Sequence, residues 1–325
     1  MNKKYIILIL IGLTLIASVI FFVNKNKNYF GETETENKVK TENDISTKNN
    51  GETEDKIKKE NKLKIITSFY PLYFFTSQIV GDRAIVFNIT PKGVEPHDYE
   101  PTAQDMVNIE NSDLLILNGG GLESYEKSIK NNLNKKNIPV LIAGENLFVL
   151  QADPHIWLAP ILATEIVDKI ERKISLIDPT NIDYYKSNAD TLIKKLNILD
   201  EEYKTGLAIC REKNIIVSHS AFTYLAKSYN LNQIAIAGLS PSEEPSSKEM
   251  AKIVEFARTN NVKYIFFESL ASPKLSQAIA KEVGAKTLVL NPIAGITEEE
   301  EIEDKDYFTE MRQNLMNLRI ALQCR

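Results

Sequence analysis

Short apolar runs alternate with helical patterns twice along this chain. Alternation of that kind builds parallel sheets, because parallel strands need long crossover connections that a helix supplies. The first set of strand candidates is Lys64–Phe69, Ala84–Ile89, Leu114–Leu117 and Pro139–Ile142, with a helix over 70–81 after the first. The second set is Ile215–Val217, Gln233–Ala237, Tyr264–Phe267 and Thr287–Leu290, with helices over 220–229, 247–260, 273–283 and 306–321. Between the sets, Leu192, Leu196, Leu199, Tyr203 and Leu207 recur at spacings of three and four, which places them on one helix face. Asp178-Pro179-Thr180 stops one helix and restarts another just ahead of that stripe. The expected architecture is α/β: two lobes, each a mostly parallel sheet flanked by helices, joined by one long rigid helix. The lobes take residues 63–180 and 210–325, and the connecting helix takes 181–209. A length of 325 residues agrees with two units at about 150 residues per domain.

Two segments of different character precede the first lobe. Tyr5–Val23 is an uncharged run of 19 residues, long enough to span a bilayer as a helix. Leu15-Ile16-Ala17-Ser18 resembles a bacterial lipoprotein cleavage box, but Ser18 stands where the acylated cysteine belongs and the apolar run continues to Val23. An uncleaved membrane anchor over residues 1–23 is therefore expected in preference to a cleaved signal peptide. Flanking lysines are similar in number on the two sides, so charge bias sets no orientation. Residues 24–63 hold nine lysines against nine acidic residues and almost no large apolar side chains. Burial cannot offset the entropy of ordering such a segment, and a flexible charged tether over 24–62 is expected. The alternative there is a frayed surface helix near Glu52–Leu63.

Composition excludes several classes. Hydrophobic content of 43% and charged content of 26% are ordinary for a globular chain and exclude collagen-like, coiled-coil and wholly disordered forms. A net charge of −5 argues against a broad nucleic-acid surface. The chain carries only three histidines and two cysteines. Two cysteines are too few for a cysteine-based zinc site but enough for one disulfide. The histidines are placed alike, each in a polar or proline-bounded loop. His97 lies in Gly93-Val94-Glu95-Pro96-His97-Asp98-Tyr99-Glu100-Pro101, His155 in Asp153-Pro154-His155-Ile156-Trp157-Leu158, and His219 just past a strand in Val217-Ser218-His219-Ser220-Ala221-Phe222. Open α/β sheets bind ligands beyond the carboxyl ends of their strands, so these positions suit a site between the lobes. Neutral imidazole is a good ligand for zinc and other first-row divalent ions. Three imidazoles plus a carboxylate or water complete a four-coordinate zinc sphere. Taken singly, a loop histidine is more often a surface or capping residue, and spacing alone leaves both readings open. No HExxH helix occurs and no cysteine lies near a histidine, so neither a zinc-protease helix nor a Cys–His nucleophile has support.

Through these motifs the chain resembles the extracellular solute-binding proteins of bacterial zinc and manganese ABC importers. The stretches that carry the resemblance are Thr67-Ser68-Phe69-Tyr70-Pro71-Leu72, Glu95-Pro96-His97-Asp98-Tyr99-Glu100-Pro101-Thr102, and the His155 and His219 motifs above. Gly238-Leu239-Ser240-Pro241, Glu244-Pro245-Ser246 and Leu290-Asn291-Pro292 add to it, so that about residues 63–325 are covered in order. The resemblance implies metal held in a cleft between two α/β lobes, with His97, His155 and His219 as ligands. It implies a binding protein and not an enzyme, one that captures Zn²⁺ and delivers it to an ABC permease, with Mn²⁺ as the alternative cargo. Its place would be the extracytoplasmic face of the bacterial membrane, tethered by the N-terminal hydrophobic segment. A monomer with no nucleic-acid partner is expected.

Manganese members of that family tend to carry a carboxylate in place of the third histidine, so His219 favours zinc by ligand type. For the fourth ligand Glu268, which closes a predicted strand, is the leading candidate, with Asn291 or water as alternatives. Ala294 stands where many relatives place a glutamate. The region 143–153 is short and lacks the extra histidines of the metal-collecting loop that many zinc members carry. Glu95, Asp98, Glu100 and Asp153 are near enough in sequence to accept the second ring N–H of a ligating imidazole, or else to cap turns. Trp157, the single tryptophan, is expected in the core. Relatives often carry both Cys210 and Cys324, which supports a disulfide between the C-terminal helix and the end of the connecting helix. Gly119-Gly120-Gly121 lacks the spacing of a phosphate-binding loop and reads as a tight turn. Thr297 and Glu300 form a capping-box pattern, making Glu298–Glu301 a solvated helix start in preference to a calcium site. Two other function classes stay open on the residues alone: a zinc-dependent hydrolase with Glu268 as general base, and a surface adhesin with a structural metal.

Overall fold

The computed structural model describes residues 62–150 and 153–325. The expected membrane anchor over 1–23, and the tether over 24–62 apart from Lys62, lie outside the described residues. Among the described residues no helix is long and apolar enough to cross a membrane.

In the first lobe, β1 (Leu63–Thr67), β2 (Ala84–Asn88), β3 (Leu114–Leu117) and β4 (Val140–Ile142) form an all-parallel sheet in the order β2-β1-β3-β4. Crossovers are made by α1 (Tyr70–Val80), α2 (Ala103–Glu110) and α3 (Glu126–Lys135). Two long helices follow, α4 (Pro160–Ile177) and α5 (Ile182–Gly206). In the second lobe, β5 (Asn214–Val217), β6 (Asn232–Ala235), β7 (Tyr264–Phe267) and β8 (Lys286–Val289) are again parallel, in the order β6-β5-β7-β8. Their crossovers are α6 (Thr223–Ser228), α7 (Ser247–Thr259) and α8 (Lys274–Val283), and α9 (Glu298–Ile302) and α10 (Tyr307–Ala321) complete the chain. The two sheets share one strand order. Each order reverses at its first strand, so each lobe has a topological switch point at the carboxyl ends of β1 and β3, or of β5 and β7.

The connecting helix forms because its apolar stripe finds a core. Leu192, Leu196, Leu199, Tyr203 and Leu207 are all buried. The 25 residues of α5 pack against α4, α1 and α10, so one helix serves both lobes. The helix expected over 220–229 is confined to Thr223–Ser228. The Ser220 N–H donates to the Gly238 carbonyl at 2.7 Å and the Ala221 N–H to the His219 carbonyl at 2.8 Å, which holds residues 219–221 in a turn. The Thr297–Glu300 capping box starts α9 as its spacing predicts, and Ser246 with Glu249 starts α7 in the same way.

One continuous apolar cluster runs from Phe69, Phe75 and Trp157 of the first lobe through Tyr185 and Tyr203 of α5 to Phe222, Phe266 and Tyr307. Two smaller clusters cover the outer sheet faces, one around Ile66, Leu115 and Leu117 and one around Ile216 and Ile265. Burial on both faces explains why the central strands β3, β5 and β7 read as unbroken apolar runs, whereas the edge strand β2 leaves Ile85 and Phe87 exposed. Cys210 and Cys324 are bonded, across a sequence separation of 114 residues.

Gly119, Gly120 and Gly121 form the expected tight turn after β3, with φ of 83°, 68° and 88°. A Cβ on Gly119 would stand 2.5 Å from Ile142, and one on Gly120 would stand 2.8 Å from Phe148. The turn wraps the buried carboxylate of Glu123. Its Oε1 accepts from Ser68 Oγ at 2.6 Å and from the Asn118 N–H at 2.8 Å, and its Oε2 accepts from the Gly119 N–H at 2.9 Å. Burial pushes the Glu123 carboxyl up, although these donors pull it the other way. Asn118 in turn donates from Nδ2 to the Pro154 carbonyl at 3.0 Å, which anchors the turn that carries His155. Glu123→Gln sets an amide NH₂ against these donors and is expected to destabilise the chain by about 1–3 kcal/mol. A urea midpoint equal to that of the parent chain would show that the network carries no stability.

Candidate metal centre

Each histidine stands just beyond a strand's carboxyl end or on the loop that leaves it. His97 occupies a single 3-10 turn, Pro96–Asp98, in the loop after β2, and that turn starts with the Glu95 carboxylate accepting the His97 N–H. His155 precedes a second such turn, Ile156–Leu158, after β4. His219 lies two residues past β5. His97 Nε2 is 3.1 Å from His155 Nε2, which is 3.3 Å from His219 Nε2. Ring nitrogens of all three lie within 4.8 Å of one another. His155 and His219 are buried, while His97 is half-buried at the cleft mouth.

The far sides of two rings face carboxylates. His155 Nδ1 is 3.0 Å from Asp153 Oδ1, and His219 Nδ1 is 2.7 Å from Glu268 Oε1. Glu268 is fully enclosed and its Oε2 has no hydrogen-bond partner. The structure thus gathers His97, His155 and His219 and sets Glu268 behind His219, on the Nδ1 side. Asn291 stands elsewhere: its Oδ1 accepts the Ile293 N–H at 2.8 Å and its Nδ2 donates to Glu310 at 3.1 Å. Of the four acids near the histidines in sequence, only Asp153 meets an imidazole ring. Glu95 caps its own turn, Glu100 accepts from Ser124, and Asp98 accepts from Ser242 Oγ of the other lobe at 3.1 Å. The His97 loop is further held across the cleft by the Gly93 N–H on the Ile296 carbonyl and by a Lys92–Glu301 ion pair.

Burial, reinforced by the neighbouring rings of His155 and His219, lowers His97 to about 3. Burial also lowers His155, against the upward pull of Asp153. For His219 burial acts downward, but the Glu268 carboxylate outweighs it and the net direction is up. Burial raises Glu95 to about 7. Trp157 is buried, as its expected core role requires, and its ring centre lies 5.2 Å from that of His155. Its Nε1–H donates to the Pro292 carbonyl at 2.8 Å, and Tyr307 donates to the Trp157 carbonyl at 2.6 Å, so the floor under His155 is pinned from the second lobe. Sequence reasoning missed these two contacts and Glu123, which follows the glycine turn closely enough to be suspected as its cap. Three imidazole nitrogens converging from two lobes form, when deprotonated, a donor set suited to a borderline divalent ion such as zinc.

The family model for the periplasmic zinc-uptake complex component A, ZnuA, matches residues 65–321. The chain belongs to the ZnuA family. Among its relatives is the high-affinity zinc uptake system protein ZnuA of Bacillus subtilis, 38% identical over 279 residues that make up 80% of this chain and 88% of that protein. The zinc-binding lipoprotein AdcA of Streptococcus pneumoniae is 35% identical over 276 residues, 79% of this chain but only 55% of AdcA. This ZnuA-family chain therefore spans little more than half the length of AdcA. The crystal structure of the Zn(II)-bound ZnuA-like domain of the same AdcA superposes with a TM-score of 0.73 at 37% identity, covering 81% of this chain and 99% of that domain. The two parallel-sheet lobes read from the sequence are the architecture shared across this ZnuA-like comparison.

Proposed function

We propose that this chain captures Zn²⁺ between its lobes through the Nε2 atoms of His97, His155 and His219, and hands it to an ABC permease at the extracytoplasmic face of the membrane. The observation that carries this reading is the convergence of three ring nitrogens within 4.8 Å, each brought from a different strand end. Membership of a zinc-uptake family and the likeness to a Zn(II)-bound domain support it. The uncharged run Tyr5–Val23 supports tethering at the membrane. Water is the fourth donor on this reading, since Glu268 Oε1 is engaged by His219 and Asn291 is committed elsewhere. On this reading the chain is a carrier and not an enzyme, with Asp153 and Glu268 each engaged by an imidazole ring.

Isothermal titration tests this directly, with Trp157 fluorescence as a second readout. Tight binding of one Zn²⁺ per chain and much weaker binding of Mn²⁺ are expected; absence of zinc binding, or preference for manganese, would overturn the reading.

Imidazole must shed its proton to bind metal, so zinc affinity is expected to fall as pH is lowered. His219 holds its proton most readily of the three because Glu268 raises its pKa, and it is the first to compete as pH falls. His97, lowered to about 3, stays available throughout the accessible range. Affinity measured from about pH 8 down to about pH 5 should decline, approaching a slope of one proton per zinc at the acid end. A pH-independent affinity would show that His219 is not a ligand.

A further inference from the structure

We propose that Asp153 and Glu268 are positioning residues, one supplied by each lobe, that hold His155 and His219 with a proton on Nδ1 so that each ring presents only Nε2 to the metal. This deepens the reading of the three histidines as ligands and rests on it.

The assignment follows from hydrogen-bond chemistry. An ionised carboxylate only accepts, so a ring nitrogen at hydrogen-bond distance from it must donate. His155 Nδ1 donates to Asp153 Oδ1 at 3.0 Å, and His219 Nδ1 donates to Glu268 Oε1 at 2.7 Å. Each carboxylate oxygen also accepts the backbone N–H of the same histidine, at 3.0 Å from His155 and 3.3 Å from His219. One oxygen thus fixes both the ring and the main chain of its partner, which sets side-chain rotation as well as tautomer. The arrangement recurs although the two acids reach their histidines by different routes. Asp153 lies two residues before His155 in the same turn, whereas Glu268 reaches across from the end of β7 to the end of β5. All four residues are buried, so water cannot easily replace the acceptor. His97 has no such partner on its ring among the described residues. Its loop is held instead by Glu95 and by contacts across the cleft. The site therefore has two preset ligands and a third that is placed only by its loop.

This geometry separates a positioning role for Glu268 from direct ligation. A carboxylate that binds the Nδ1 proton lies on the opposite side of the ring from Nε2. Glutamine keeps the carbonyl acceptor but loses the charge that would bind metal, whereas leucine keeps the volume and loses the acceptor. Glu268→Leu is expected to lower zinc affinity by about 10- to 100-fold, as loss of an outer-shell carboxylate does. Glu268→Gln should recover most of that loss and leave the visible absorption spectrum of the Co²⁺-loaded chain unchanged. Asp153→Asn and Asp153→Leu should behave likewise. Glutamine as damaging as leucine, together with an altered Co²⁺ spectrum, would show that Glu268 is a ligand and overturn the proposal; so would wild-type affinity in the leucine variant. Should a leucine variant fail to fold, long-range ¹H–¹⁵N spectra of the unmodified full chain decide the matter. A proton on Nδ1 of both His155 and His219, before and after zinc, is the expected result, and zinc on Nδ1 or a proton on Nε2 alone would overturn it. The metal-free spectrum tests the hydrogen bonds even if zinc titration were to fail, so the two readings fall separately.

Discussion

His155→Ala is expected to weaken Zn²⁺ binding by more than about a hundredfold, beyond the range that follows loss of an outer-shell group. His155 is the middle member of the set, with its Nε2 at 3.1 Å from one ring nitrogen and 3.3 Å from the other. Its removal leaves two donors whose nitrogens belong to different lobes. No substitute is at hand: the chain contains three histidines in all, and among the described residues no other group of three or more potential ligand side chains converges. Alanine also strands the buried Asp153 carboxylate, at a stability cost of about 1–3 kcal/mol. A chelator-competition measurement of affinity, paired with a thermal melt of the metal-free variant, separates the two effects. A loss of less than about tenfold, corresponding to 1.4 kcal/mol, would place the zinc elsewhere.

The second large effect is on stability alone. The Cys210–Cys324 bond closes a loop across 114 residues, which contains nearly the whole second lobe. Chain-entropy arguments assign about 4–5 kcal/mol to a cross-link of that span, and removal of native disulfides costs about 2–5 kcal/mol. The bond sits at the amino end of β5, where Glu212 N–H also donates to the Leu322 carbonyl at 3.0 Å. His219 lies beyond the opposite end of that strand. Cys210→Ser with Cys324→Ser should therefore lower the melting temperature markedly and leave zinc affinity within about threefold of the parent, since the two sites share no side chain. Equal losses of stability and affinity would mean that the staple also positions the metal ligands.

Much of this architecture could be read from residue order because its signals are local and repeated. The leucine stripe of α5 has helical spacing and is buried throughout, and the central strands are apolar on both faces because both faces of each sheet pack into apolar clusters. The histidines were legible as candidates because all three sit alike in loops after strands, and the family resemblance, not their spacing, tipped the reading from surface residues to ligands. What sequence order could not give was direction. Glu95, Asp98, Glu100 and Asp153 all lie within three residues of a histidine along the chain, yet only Asp153 turns its oxygen to a ring. Glu268 meets His219 across 49 residues, through the pairing of β5 with β7, so that contact depends on sheet formation and has no local signature. Glu123 was missed in part for a related reason: its two backbone N–H donors are local to the glycine turn, but Ser68 reaches it from another strand end 55 residues away.

The separation of the three histidines along the chain carries a consequence for the order of events after synthesis. His97 and His155 are 58 residues apart, and His155 and His219 are 64. Closing loops of that length has an entropic cost that must be met before the ring nitrogens can meet, and here the sheets and the shared core of α5 meet it. In small zinc modules the ion nucleates the fold and chelation dissolves it. For this protein the expected order is the reverse, with the polypeptide folding first and the ion arriving at a finished receptacle. Stripping the metal should therefore empty the carrier without unmaking it, so that one molecule can be loaded and discharged many times.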